Sequence, residues 1–235
     1  MSEILKINNL WGGYKEGVDI LRGISMEVQQ GEAVGIIGLN GSGKSTFGKA
    51  IMNMIPIRKG EIFFEGEDIT SLTTSQLSHR GIAIMQQGGK VFQNLSVWDN
   101  MQLASKGDFF PLADIIPLLQ KSKKELQGLM ADKLSGGQKH QLSLAMTLAT
   151  NPRFVILDEP SAGLSPKSVE DMYTMLCEVR ERLEATIILI EQNIAKAIKF
   201  CNGSFLIQQG AVSEEFVSNS VSDLEKVMFN RNLNV

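Results

Sequence analysis

The stretch "GLNGSGKST" at residues 38–46 has the G-x-x-x-x-G-K-[ST] spacing of a loop that wraps phosphate groups. Gly38, Gly41 and Gly43 permit tight turns that aim backbone N–H groups inward, Lys44 reaches terminal phosphates, and the Ser45 hydroxyl suits a Mg²⁺ ion. Asn40, Ser42 and Thr46 complete the nucleotide-binding candidates of this loop. Downstream, "FVILDEP" at 154–160 is an apolar run ending in two acids. Asp158 at the tip is a candidate Mg²⁺ ligand, and Glu159 is placed to orient and deprotonate water. A second anion-seeking loop, "LSGGQ" at 134–138, stands directly before the helical run "KHQLSLAMTLAT". Its hydroxyl, its unobstructed glycine amides and the positive end of a helix dipole attract the same kind of ligand. Taken alone, LSGGQ could be a helix cap and the two acids a capping turn; together the three segments describe nucleotide chemistry with one phosphate loop more than a single site needs.

Short β-type runs fall at 4–7, 33–37, 62–64, 82–85, 154–157, 186–190 and 204–207, and they position these residues. Helical patterns lie between several of them. Residues 43–54 form the helix leaving the phosphate loop, and 166–183 places Val169, Met172, Leu176, Val179 and Leu183 on one buried face. Strand, phosphate loop, helix and returning strand imply an α/β domain whose later strands are largely parallel. Between Phe92 and Lys133 the β signal gives way to a small helical insertion containing Pro111 and Pro117. The cluster in "KSKKELQGLM" at 121–130 reads as a solvated helix face.

With 235 residues, 43% of them hydrophobic, the chain can fill one sizeable core. Its net charge of −3 argues against a dedicated nucleic-acid binder, which carries a basic face. Cys177 and Cys201 lack C-x-x-C spacing, and only His79 and His140 are available beside them, so zinc is not expected. Both cysteines read as small core residues. No apolar run approaches the ~20 residues of a membrane span. The segment "MSEILKINNL" has no charged region followed by an apolar one, so the expected location is the cytoplasm.

The three motifs, in this order and spacing, resemble the nucleotide-binding domain of ATP-binding cassette (ABC) proteins, and LSGGQ is very specific to that family. The resemblance spans nearly the whole chain. It implies one P-loop NTPase domain over residues 1–235, with a small antiparallel β subdomain and a helical subdomain over about residues 88–150 that ends in the LSGGQ helix. It also explains the second loop. Two such domains pack head to tail in the family, so Ser135, Gly136, Gly137 and Gln138 would serve the partner's ATP. Tyr14 resembles the aromatic residue that stacks on adenine, with Trp11 as the competing candidate. Gln87 resembles the loop glutamine that touches Mg²⁺ or the attacking water, with Gln86 as the alternative register.

Departures from the family pattern are informative too. "SAGLSP" leaves Ser165 where an Asp often stands, and Gln192 occupies the position of a histidine near the γ-phosphate. These two changes, with "GIAIMQQGGKVFQNLSVWDN", resemble the ATPases of hydrophobic and branched-chain amino-acid importers, especially the second of their two ATPase subunits. Met146 in place of an Arg, and Gln86 in place of a Pro, depart from that group. The resemblance implies ATP and Mg²⁺ as ligands, and as partners transmembrane permease subunits, a second ABC ATPase subunit and an extracytoplasmic solute-binding protein. It places the chain on the inner face of the membrane through its permeases. Two rival functions share the fold: an exporter of lipid or lipopolysaccharide type, and a soluble ABC ATPase of iron–sulfur assembly. A chromosome-maintenance type needs a long coiled-coil insertion, and a translation type a second cassette; neither is present.

Overall fold

The computed structural model describes residues 2–105 and 107–217. The chain divides into two compact units, one running to Leu77 and resuming at Thr186, the other Ser78–Ala185.

The first unit opens with antiparallel strands β1 (Glu3–Gly12) and β2 (Leu21–Gln29). Leu5, Ile7 and Leu10 of β1 and Leu21, Ile24, Met26 and Val28 of β2 are buried, and most of the residues between them are partly or fully exposed. That alternation is what one buried sheet face requires. Gly23, in the left-handed region at φ +74°, lies beside register shifts around Leu10 and Trp11, and this bulge breaks the period that would otherwise announce β2. β3 (Ala33–Ile37) is buried at every position, as an interior parallel strand should be. It runs into the phosphate loop and then helix α1 (Lys44–Ile51). Phe47 of α1 is fully buried and contributes about 1.5–3 kcal/mol. β4 (Ile57–Phe64) pairs with β1, and the short β5 (Glu67–Asp68) with β4, giving an antiparallel sheet in the order β2-β1-β4-β5. Helix α2 (Thr74–His79) follows.

The second unit contributes β6 (Ile82–Met85), then the expected helical stretch: α3 (Val97–Ala104), 3₁₀ turns at Phe110–Asp114 and Pro117–Gln120, and α4 (Lys123–Gly128). Pro111 and Pro117 sit in the first turns of the two 3₁₀ segments, where a missing N–H costs nothing. The fully buried Asn100 of α3 donates to the carbonyls of Phe92 and Ser96 and accepts from the Phe92 N–H, which pins the loop entering α3. Helix α5 (Gly136–Leu148) follows the LSGGQ loop. β7 (Phe154–Asp158) pairs in parallel with β6, Ile82 opposite Phe154 through Met85 opposite Leu157. α6 (Pro166–Leu183) buries Val169, Met172, Leu176 and Val179 on one side, while Leu183 is half-buried.

Back in the first unit, β8 (Thr186–Glu191) and β9 (Gly203–Gln208) flank β3 in parallel, and β10 (Ala211–Val217) pairs antiparallel with β9. Helix α7 (Ile194–Phe200) packs Ile194 and Ala197 against Ile37 of β3 and Leu206 of β9. β3 thus lies between two parallel strands and delivers the phosphate loop from its carboxyl end, where α/β sheets bind ligands.

Candidate nucleotide site

In the first unit, residues 38–43 fold into a tight loop. Ser42 N–H bonds the Leu39 carbonyl at 3.2 Å, and the Ser42 carbonyl accepts from Gly210 N–H at 2.9 Å. Two glycines here are irreplaceable for different reasons. A Cβ on Gly38 would lie 2.4 Å from the Ile207 carbonyl oxygen and 2.6 Å from Ser42 Oγ, while Gly43, at φ +108°, has a backbone that L side chains rarely adopt. Gly43 is also the N-cap of α1 and supplies no side-chain cap, so the first N–H groups of the helix are left for an anion. Lys44 is buried and its Nζ donates to the Gly38 and Leu39 carbonyls, each at 2.9 Å, which holds a positive charge against the loop. Ser42 Oγ is buried without a hydrogen-bond partner. An orphaned hydroxyl, an uncapped helix start and a fixed ammonium together fit a polyphosphate.

The turn after β8 meets the same loop. Glu191 Oε2 accepts from the Gln192 and Asn193 N–H groups at 3.1 and 3.4 Å, and the Gln192 side-chain amide donates to Asn40 Oδ1. The two aromatic candidates differ. Trp11 lies within β1, its Nε1 bound to Asn9 Oδ1 at 2.9 Å and Lys59 Nζ 5.6 Å from its ring centroid. Tyr14 is 51% exposed, with Lys49 of α1 5.6 Å from its ring centroid. Its open face therefore stands beside the helix that the phosphate loop begins.

In the second unit, β7 is wholly buried and ends in Asp158, 2% exposed, followed by Glu159, 8% exposed. Glu159 adopts φ +45°, a conformation that costs a non-glycine residue roughly 1–2 kcal/mol. Strain held at a nearly buried carboxylate beside a buried acid makes Glu159 a candidate functional position. Gln87 Nε2 donates to Glu159 Oε2 at 2.6 Å; of the two glutamines in "MQQGG", this one reaches the acid.

Ser135 is the N-cap of α5. Its Oγ accepts from Gln138 N–H at 3.3 Å and the Gln138 Oε1 accepts from Ser135 N–H at 3.0 Å, a reciprocal capping box. Open space surrounds Gly136, whereas a Cβ on Gly137 would lie 3.2 Å from Ser168 Oγ. Ser165, in place of the family's Asp, caps α6 by accepting from Ser168 N–H at 3.3 Å. His140, weighed in the sequence only as a zinc ligand, is 5% exposed, and its Nδ1 lies 2.7 Å from the Pro160 carbonyl oxygen, one residue beyond Glu159. A lone helical histidine carries no signal of such a contact.

The fold and the phosphate loop define a P-loop ATPase of the cassette type. The family described as "ABC transporter" matches residues 21–162, and the chain belongs to it. Over 227 residues, 95% of this chain and 96% of the relative, it is 33% identical to the probable branched-chain amino acid transport ATP-binding protein LivF of Archaeoglobus fulgidus. It is 29% identical over 217 residues to the lipopolysaccharide export system ATP-binding protein LptB of Escherichia coli K12, covering 88% of this chain and 87% of that one. The fold matches the ADP conformation of an ATP-binding cassette of an ABC transporter with a TM-score of 0.82 at 24% identity, over 99% and 97% of the two chains. The chain is therefore an ABC-type ATPase subunit with the expected α/β fold and antiparallel β subdomain. Among the described residues no helix is long and apolar enough to cross a membrane.

Proposed function

We propose that this chain powers the import of branched-chain amino acids or similar small solutes, as one ATPase of a head-to-tail pair on the cytoplasmic face of two permease subunits. The observation that carries this reading is the 33% identity to a branched-chain amino-acid transport ATPase along almost the full length of both chains. The departures at Ser165 and Gln192 support the same group. An extracytoplasmic binding protein would deliver the solute.

In this reading Tyr14 stacks on the adenine, and the amides of residues 41–46, with Lys44, bind and orient the phosphates. Glu159 accepts a proton from the attacking water as its oxygen bonds to the γ-phosphorus and the bond to ADP breaks. Gln87 holds that carboxylate by the 2.6 Å bond described above. Gln192 and Asn40 line the γ-phosphate end, and Ser135, Gly136, Gly137 and Gln138 complete the partner's site. A hydroxyl, an amide and one carboxylate, from Ser45, Gln87 and Asp158, are the hard oxygen donors that Mg²⁺ accepts alongside phosphate and water, and the ion would neutralise developing charge. ATP then binds the two subunits together and hydrolysis releases them.

The exporter reading rests on a specific observation as well, the 29% identity to the lipopolysaccharide export ATPase. Reconstitution with candidate permease subunits separates the two. With ATP enclosed in the vesicles and the binding protein outside, ATP-dependent accumulation of radiolabelled leucine, isoleucine or valine in the lumen is the expected result. Extraction of a lipid from the membrane, without amino-acid uptake, would overturn the importer reading.

A further inference from the structure

His140 lies in the first turns of α5, the helix that the LSGGQ loop begins, yet its ring contacts the segments on either side of the catalytic carboxylate. A carbonyl oxygen only accepts, so the 2.7 Å contact with Pro160 O requires the proton on Nδ1. On the other side the ring presses on the backbone at Gly89: a Cβ there would lie 2.7 Å from His140 Cδ2 and 3.2 Å from Nε2. Gly88 and Gly89 are both left-handed, at φ +84° and +58°, which turns the chain under the ring.

These contacts close a circuit inside the second unit. Gln87 binds Glu159, Glu159 is joined by its peptide to Pro160, Pro160 accepts from His140, His140 lies on Gly89, and Gly89 returns through Gly88 to Gln87. Glu159 is held in an unfavourable backbone conformation at φ +45°, so the orientation of its carboxylate depends on what fixes the following peptide. The side chain that reaches this peptide from α5 is buried to 95% and carries a ring N–H, not an aliphatic filler.

We propose that His140 is a positioning residue of the ATPase reaction: through Pro160 and Gly89 it fixes Glu159 against Gln87 and ties that carboxylate to the helix bearing the signature loop. The proposal rests on the ATPase reading above and deepens it. If the signature loop serves the partner's nucleotide, His140 makes the state of the partner's site felt at this chain's own base. A histidine that merely fills space would have no need of its N–H.

The test compares His140→Phe, which keeps the ring and volume but has no donor, with His140→Asn, whose amide N–H stands where Nδ1–H does. The full chain is assayed for kcat, for KM of ATP and for melting temperature. His140→Phe is expected to lose about tenfold or more in kcat, since small misplacements of a catalytic group cost up to that order or beyond, with KM nearly unchanged and the melting temperature lowered by only a few degrees. His140→Asn is expected to recover most of the loss. Should the Phe variant not fold, His140→Met, flexible and equally without a strong donor, takes its place. A wild-type kcat in the donor-less variant, or equal losses in it and His140→Asn, overturns the proposal, the second outcome assigning His140 to packing. ATP turnover by the wild-type chain, with a partner cassette where one is needed and lowered by Lys44→Ala, tests the ATPase reading separately. Its absence would overturn that reading and this one together, whereas turnover with an unaltered donor-less variant sinks the role of His140 alone.

Discussion

Replacing Glu159 by Gln removes one proton acceptor and almost nothing else. Glu and Gln have the same length and branching, so the left-handed backbone at residue 159 keeps its φ of +45° with no new strain. The Gln87 Nε2 donor that now meets Glu159 Oε2 at 2.6 Å can still meet the amide oxygen of a glutamine there. The two 2.9 Å contacts of Lys44 with the Gly38 and Leu39 carbonyls, and the uncapped start of α1, do not run through residue 159. What is lost is general-base catalysis, about 10²–10⁴-fold in kcat. That corresponds to roughly 2.7–5.5 kcal/mol on the barrier.

Three measurements isolate this effect: phosphate release under single turnover, equilibrium binding of ATP, and the melting temperature. Turnover should fall by the stated factor while affinity and melting temperature hold. With Mg²⁺ and ATP present, and the partner cassette if one is needed, the variant should accumulate as a closed dimer on gel filtration. Near wild-type turnover would refute the assignment of Glu159 as base. Loss of ATP binding would show instead that the carboxylate is a structural support of the nucleotide site.

Tyr14→Ala should weaken ATP and GTP alike by roughly 1–3 kcal/mol in a titration, because base stacking tolerates any purine; a loss in Trp11→Ala instead would move the platform to Trp11. Gly38→Ala forces a Cβ to within 2.4 Å of the Ile207 carbonyl, and overpacking of this kind should lower stability by about 1–3 kcal/mol in urea and reduce ATP affinity with it. Gln192 gives an untitratable amide where a histidine would carry charge near neutral pH, so the chain alone should stay mainly monomeric with Mg-ATP and hydrolyse slowly, rising with a second, non-identical cassette. Gln192→His should raise basal turnover and add a pH dependence near neutrality; a fully active homodimer of the wild-type chain would sink the heteromer idea.

The seven β runs were legible as short apolar stretches, continuous where the strand is buried on both faces, and the helix leaving the phosphate loop and the 166–183 helix by what precedes them or by their apolar spacing. β2 was not, since Gly23 inserts a bulge that shifts the alternation of Leu21, Ile24, Met26 and Val28 out of step. β5 has two residues and β10 only a hairpin partner, so neither carries a pattern of its own. Within the site, spacing identified residues whose neighbours are sequential, such as the phosphate loop. Contacts between distant segments were out of its reach: Gln87 with Glu159 is separated by 72 residues, and His140 with Pro160 by 20. The choice between Gln86 and Gln87 could not be made by counting, because both are amides on the same loop and only the turn geometry decides which faces the acid.

If the LSGGQ loop binds the partner's phosphate as proposed, helix cap and anion site are not rival descriptions. Ser135 Oγ caps α5 by accepting from Gln138 N–H, which uses a lone pair and leaves its own O–H a donor. In the proposed reading a phosphate would take that donor together with the N–H groups of Gly136 and Gly137, so one hydroxyl can do both at once. The two roles separate on substitution. Ser135→Ala removes cap and donor together, at about 0.5–2 kcal/mol of stability for the cap. Ser135→Asp keeps an excellent cap, because a carboxylate accepts from the same N–H, but offers no proton and places a negative charge against the partner's phosphates. Its melting temperature should match or exceed that of the wild type while ATP-driven pairing and turnover collapse. Mixed with a partner cassette intact in its own signature loop, the Asp variant should silence only the site this loop serves. Undiminished turnover in Ser135→Asp would reduce the motif to a cap.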